Sequence, residues 1–179
     1  ELVELLRHPN KWWRNEARRL LAERQDKSVV PQLKKQVLEE KALLALESLW
    51  ALYQLGALDD ETELKLLRHP NEHVRAWTIR FIGDRNGGDD SADLEVSLEK
   101  MAKSEQSPTV RSQLACSVKR MPESIGLPIA MRLAEGKNDL DDPHLPLLIW
   151  WAIEGRVTTL MDLLAQSIDD KSFWRARLT

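Results

Sequence analysis

The residues able to do chemistry fall into a few small sets. Trp150 and Glu154 stand four apart in an apolar run, a spacing that sets an aromatic face beside a carboxylate on one side of a helix. His69 and His73 bracket Glu72, but with no third ligand nearby they do not make a zinc site. Asp84, Asn86, Gly88, Asp90 and Glu95 occupy positions 1, 3, 5, 7 and 12 of a calcium-loop spacing. Asp89 stands where the sharp turn needs glycine, so the segment reads as a solvated acidic loop. A single cysteine, Cys116, excludes a disulfide framework, an all-cysteine zinc site and a haem-attachment pair. No histidine or basic helix start is placed to activate it. No nucleophile elbow, phosphate loop or dinucleotide fingerprint occurs. The chain is therefore expected to be non-enzymatic, with no cofactor and no metal.

Arginine and tryptophan carry the more regular signal. Arg14, Arg75 and Arg111 each follow a capping-type residue by four: Asn10, Asn71 and Ser107. The side-chain oxygen of such a residue accepts a free N–H of a helix's first turn. An arginine one turn later can bond its own or a neighbouring repeat and build a ladder, or can offer a row of guanidinium groups to an anion. Both readings stay open from sequence. Seven tryptophans include the adjacent pairs Trp12–Trp13 and Trp150–Trp151. Helical neighbours point about 100° apart, so both members are buried only where the helix is covered on two sides. That is expected for Trp150 and Trp151. Lys11, Arg14, Asn15 and Glu16 surround the other pair, which places one of Trp12 and Trp13 at an edge or on a concave face. Trp12, Trp13, Arg14 and Arg75 are the candidate partner contacts. Asn10, Asn71, Ser107, Arg111 and Asp142 are the candidate caps and ladder residues.

These residues must be positioned by helices. Leu5-Leu6-Arg7-His8-Pro9-Asn10 recurs as Leu66-Leu67-Arg68-His69-Pro70-Asn71, an offset of 61 that continues through Arg14/Arg75, Arg19/Arg80 and Arg24/Arg85. Ser107-Pro108-Thr109-Val110-Arg111 is a weaker third copy. Between the first two copies, Val30, Leu33, Val37 and Leu38 recur at helical spacing. Ala42 to Leu55 is apolar on nearly every side and is expected to be buried all round, with Gly56 as a left-handed stop. Further stripes are Leu94/Leu98/Met101, Val110/Leu114/Val118 and Ile125 to Ala134, the last with Pro128 in its first turn or at a kink. Asp142-Pro143 reads as a cap with Pro in the first helical position. A second wholly buried helix is expected over Leu145 to Ile153. Val157 to Ile168 and Ser172 to Leu178 complete about twelve helices in six pairs, with no strand alternation. Such pairs bury their apolar faces only by stacking, so residues 1–179 are expected to form one all-α, α/α-superhelical (solenoid) domain.

Composition agrees. The chain has 179 residues, 26 Lys+Arg, 29 Asp+Glu and a net charge of −3. That balance counts against a dedicated nucleic-acid binder. Residues 1–35 hold nine basic against five acidic residues, and residues 36–105 hold eight against fifteen, a polarity able to orient a partner. The longest apolar run has nine residues, Leu145 to Ile153, and spans no bilayer. The opening Glu1 to Leu6 lies mid-pattern, so a segment of a larger protein is expected.

The cap–Pro–Val–Arg pattern in His69-Pro70-Asn71-Glu72-His73-Val74-Arg75 and Ser107-Pro108-Thr109-Val110-Arg111 resembles the HEAT repeat family, over nearly the whole chain. A narrower resemblance rests on His8-Pro9-Asn10-Lys11-Trp12-Trp13-Arg14, Leu49-Trp50-Ala51-Leu52 through Gly56, and Leu145 to Glu154. These look like the HEAT segment of large bacterial membrane-bound dehydrogenases, in which a β-propeller precedes the repeats and a c-type haem domain follows. The resemblance implies a protein-interaction scaffold or spacer in a larger, extracytoplasmic redox protein, with neighbouring domains or another subunit as partner. It carries over no catalytic residue. HEAT-like alkylpurine-DNA glycosylases place aromatic residues and a carboxylate around an extruded base, so Trp150/Glu154 keeps a DNA-binding or DNA-repair module as the alternative. A chromophore-lyase-type HEAT protein, which needs a pigment partner, is a third reading.

Overall fold

The computed structural model describes residues 1–40, 42–85, 92–136 and 141–156. Among the described residues the regular elements are helices, with no strand. In order they are α1 (Leu2–Leu5), α2 (Lys11–Arg24), α3 (Val30–Glu39), α4 (Ala42–Gln54), α5 (Asp60–Leu66), α6 (Glu72–Asp84), α7 (Ala92–Ser104), α8 (Pro108–Val118), α9 (Glu123–Ala134) and α10 (Leu145–Glu154). A 3₁₀ turn, Lys27–Val29, leads into α3.

The helix starts follow from local chemistry. Asn10 Oδ1 accepts the Trp12 N–H at 2.9 Å, and Asn71 Oδ1 accepts the His73 N–H at 2.8 Å. Ser107 Oγ accepts the Val110 N–H at 3.4 Å. Each first-turn donor would otherwise be orphaned. The preceding histidine belongs to the same unit: His8 Nδ1 accepts the Asn10 N–H at 3.1 Å and His69 Nδ1 accepts the Asn71 N–H at 3.0 Å. The repeated His-Pro-Asn is thus a capping device. Gly56, at φ 58°, ends α4 as anticipated, and the Ala57 N–H reaches Leu52 O at 3.0 Å. One start differs. Asp142 accepts the N–H groups of His144 and Leu145 at 2.8 and 2.9 Å. The helix therefore begins at Leu145, with Pro146 rather than Pro143 in its first turn.

Two rows of helices result. In one, α2 packs on α4, α4 on α6, α6 on α8 and α8 on α10; in the other, α3 packs on α5, α5 on α7 and α7 on α9. The rows meet where α3 lies on α4, α5 on α6 and α9 on α10. The core has two clusters. Leu6, Leu21, Leu33, Leu49 and Leu52 lead the first; Ile79, Ile82, Leu98, Leu114 and Leu133 lead the second. The α5–α6 pair serves both, giving Leu66, Val74 and Phe81 to the first and Leu67, Ile79 and Ile82 to the second. Burying each such leucine or isoleucine contributes about 1.5–3 kcal/mol.

Two helices depart from expectation. Neither α4 nor α10 is buried all round: Leu43 is 45% exposed and Tyr53 38%, while Trp150 and Trp151 are 54% and 44% exposed. A helix within a row is covered by its row neighbours and by the facing row, and the remaining side stays open. The stripes Val157 to Ile168 and Ser172 to Leu178 lie outside the described residues, as do Asn86, Gly88 and Asp90 of the acidic loop. Among the described residues no helix is long and apolar enough to cross a membrane.

Candidate functional site

The open side of α2, α4 and α6 forms a groove of about 630 Å³. Helical spacing builds it. Lys11, Asn15 and Arg18 lie on one stripe of α2; Leu43, Glu47, Trp50 and Gln54 lie on one stripe of α4, with Tyr53 beside them; Trp77 and Phe81 come from successive turns of α6. The apolar wall is mostly aromatic. Tyr53 stacks on Phe81 with centroids 3.8 Å apart and planes 7° from parallel, and Trp50 meets Trp77 edge-on at 5.3 Å. The Arg18 guanidinium sits 4.8 Å over the Trp50 ring, and Arg80 sits 4.9 Å over Trp77, both within cation–π range. The Trp50 indole N–H is buried without a hydrogen-bond acceptor.

One carboxylate holds the cationic wall. Glu47 is 2% exposed and lies between two arginines, with Arg14 Nε at 2.9 Å from Oε1 and Arg18 Nε at 2.8 Å from Oε2. The first contact is a directed hydrogen bond. The second is an ion pair aligned too poorly to be one, which leaves Arg18 Nε and Glu47 Oε2 without a directed partner. Arg18 is steadied instead by Nη2 donating to Asn15 Oδ1 at 2.7 Å. Lys11, at the rim, is exposed and has no anionic partner among the described residues. Three cations against one carboxylate leave the groove positive.

A second trough lies on the other side of Trp77. His73, Ala76, Trp77 and Arg80 on α6 face Thr109, Ser112, Gln113 and Cys116 on α8 across this trough of about 320 Å³. Trp77 lines both troughs, so they follow one another along the same row. Cys116 is exposed there.

The residues singled out from sequence are dispersed. Trp12 and Trp13 are both exposed, at 58% and 43%, and meet edge-on at 4.8 Å with His8 against Trp13; they do not line the groove. Arg14 and Arg75 are more buried than a surface role implies, though Arg14 still lines the groove. Arg14 is 8% exposed, and its Nη1 donates to His8 O and Pro9 O at 2.8 and 2.9 Å while Nε holds Glu47. Arg75 repeats the clamp on His69 O and Pro70 O and forks onto Glu105 at 2.9 and 3.0 Å. The reason is the cap: the turn before each of these two helices aims two carbonyls at the arginine one turn in, and in both a carboxylate completes the site. Arg111, 5% exposed, also clamps carbonyls, donating to Ala102 O at 2.8 Å and Leu133 O at 3.0 Å. Burial opposes ionisation of Glu105, yet hydrogen bonds from Arg75 and from the Ser107 and Gln106 N–H groups prevail and hold its carboxyl below the ordinary value. Trp150 and Glu154 are both exposed on α10, apart from the groove's cations.

Sequence reasoning missed Glu47, Arg18, Trp50, Tyr53, Trp77 and Phe81 as a set. One signal was present: Glu47 is the only charge in the apolar run Ala42 to Leu55, and a carboxylate there must be paired. No family model, curated protein or solved structure matches the chain. Among the described residues no group of three or more His, Cys, Asp or Glu side chains is placed to hold a metal ion.

Proposed function

We propose that this chain is a non-enzymatic, HEAT-like α/α-superhelical scaffold, a protein-interaction or spacer part of a larger, extracytoplasmic redox protein. The single observation that carries the interaction role is the groove along α2, α4 and α6. It is an open trough walled by aromatic side chains, a surface suited to anchoring another polypeptide. The repeated capping unit and arginine clamp support the repeat architecture, as does the order of helix contacts, each helix on its next-but-one neighbour. The three sequence markers that resemble dehydrogenase HEAT segments support the redox parent. The test is photo-crosslinking in the native full-length product, with benzoylphenylalanine in place of Tyr53. The expected adduct joins this segment to another polypeptide domain or subunit, in a product several times heavier than this chain with a haem Soret band. A product of this chain's own mass with no chromophore overturns the redox parent, and an absence of polypeptide adducts overturns the scaffold.

A second reading, a DNA-binding or DNA-repair module, is favoured by one feature: Lys11 and Arg18 beside stackable rings are also what single-stranded nucleic acid uses. It predicts binding at low salt whose affinity falls steeply as salt rises.

A further inference from the structure

We propose that the groove takes an extended acidic polypeptide segment, seating a carboxylate against Lys11 and Arg18 and an aromatic or aliphatic side chain against Trp50, Tyr53 and Trp77. This rests on the scaffold reading above and names its partner's chemistry.

Three observations select that occupant. The first is charge. Arg14 and Arg18 share Glu47, and Lys11 at the rim has no counter-ion among the described residues, so the trough holds a positive excess in a chain whose net charge is −3. A segment carrying Asp or Glu supplies what is lacking, and a basic one is repelled. The second is the wall. Tyr53 remains 38% exposed although it stacks on Phe81, and Leu43 is 45% exposed, so apolar surface is left for a side chain to cover. The third is shape. A second trough, lined by Ser112, Gln113 and Cys116, flanks the first across Trp77, and these polar side chains are suited to hydrogen-bonding a backbone. A strand-like chain can follow that path, whereas a compact small molecule would leave the second trough empty. A nucleic-acid strand fits less well. Its phosphates need several free cations along the track, while Arg14 and Arg18 already share Glu47 and Arg80 pairs with Asp84, which leaves Lys11 as the one Lys or Arg lining either trough without an anionic partner among the described residues.

The test is selection of binders to the whole chain from a displayed library of random decapeptides, followed by fluorescence anisotropy on the enriched peptides at low salt. The expected peptides combine Asp or Glu with Trp, Phe or Leu. Lys11→Glu and Tyr53→Ala alter exposed side chains and leave the helical signal intact; each should weaken binding at least tenfold. Replacing the peptide's acids with Lys should abolish it. Cys116, the single cysteine, reports the path: bound peptide should slow its alkylation by a maleimide about tenfold. Enriched peptides that need Tyr53 but are neutral or basic, or that ignore Lys11→Glu, overturn the acidic partner and leave the scaffold standing. Single-stranded dT12 binding more tightly than any selected peptide also overturns it, in favour of nucleic acid. If no selected peptide depends on either residue, the groove as a docking site falls, and the scaffold reading loses its carrying observation.

Discussion

The two copies of the repeated motif make the same clamp and complete it differently. In the first, Arg14 holds His8 O and Pro9 O and takes its carboxylate from Glu47, on the next helix of the same row. In the second, Arg75 holds His69 O and Pro70 O and takes its carboxylate from Glu105, beyond the end of α7 in the opposite row. Glu47 serves Arg14 and Arg18 and forms part of a groove wall. Glu105 accepts the N–H groups of Gln106 and Ser107 and so helps start α8. The carbonyl half of the clamp is local and repeats with the sequence. The carboxylate half is tertiary, and it decides whether an arginine ends at a binding surface or a helix junction.

The largest expected effect comes from removing the shared carboxylate. Glu47→Ala leaves two largely buried guanidinium groups without their anion and should cost about 3–5 kcal/mol of stability in urea unfolding. Glu105→Ala should cost less, about 1.5–3 kcal/mol, the scale of losing charged hydrogen bonds. Equal losses would erase the distinction between the two carboxylates.

Next comes helix approach. Gly83 on α6 lies so near α8 that an added Cβ would meet Ser117 Cβ at 2.8 Å and Ser117 Cα at 3.2 Å. Its counterpart in the first copy, 61 residues earlier, is Ala22. Gly83→Ala should destabilise by about 1–3 kcal/mol through overpacking. Ala22→Gly should cost only about 0.5–1 kcal/mol, from backbone entropy. A neutral Gly83→Ala in thermal melts would show that α6 and α8 can separate as freely as α2 and α4.

The caps should matter equally in both copies. Asn10→Ala and Asn71→Ala each remove one first-turn acceptor and should each cost about 1 kcal/mol by denaturant titration. A clear inequality would show that cap strength depends on the tertiary setting.

The smallest effect is a pH dependence in the second copy. Burial, reinforced by the nearby Arg75 guanidinium, pushes the His69 imidazole below its ordinary pKa. The folded chain therefore binds this proton less readily than the unfolded one. Its contribution is complete above about pH 6.5 and is lost as pH falls toward the lower folded value. His69→Gln should flatten the melting temperature between pH 7 and 5; an unchanged slope would remove His69 as its source.

Much of the helical frame was legible in the residues. Asn10, Asn71 and Ser107 announce helix starts because a cap is a contact within a few residues, and Gly56 announces a stop because only a left-handed residue fits there. Periodicity located α3, α4, α8 and α10, but misjudged how fully α4 and α10 are covered. Hydropathy reports what a helix can bury; coverage depends on what lies beside it. Trp150 looked like core by composition and is more than half exposed in the fold.

Sequence alone determined the interactions that close within one or two turns: the His-Pro-Asn caps, the clamps of Arg14 and Arg75 on preceding carbonyls, and the helical class of the chain. Tertiary structure alone decided which carboxylate each arginine meets, which side of α4 stays open, and that Lys11, Arg18, Trp50, Tyr53 and Trp77 share one trough. These residues lie up to 66 positions apart, on three helices. Their meeting depends on the stacking of whole helices, which is set by the summed burial of the two cores and by no local pattern.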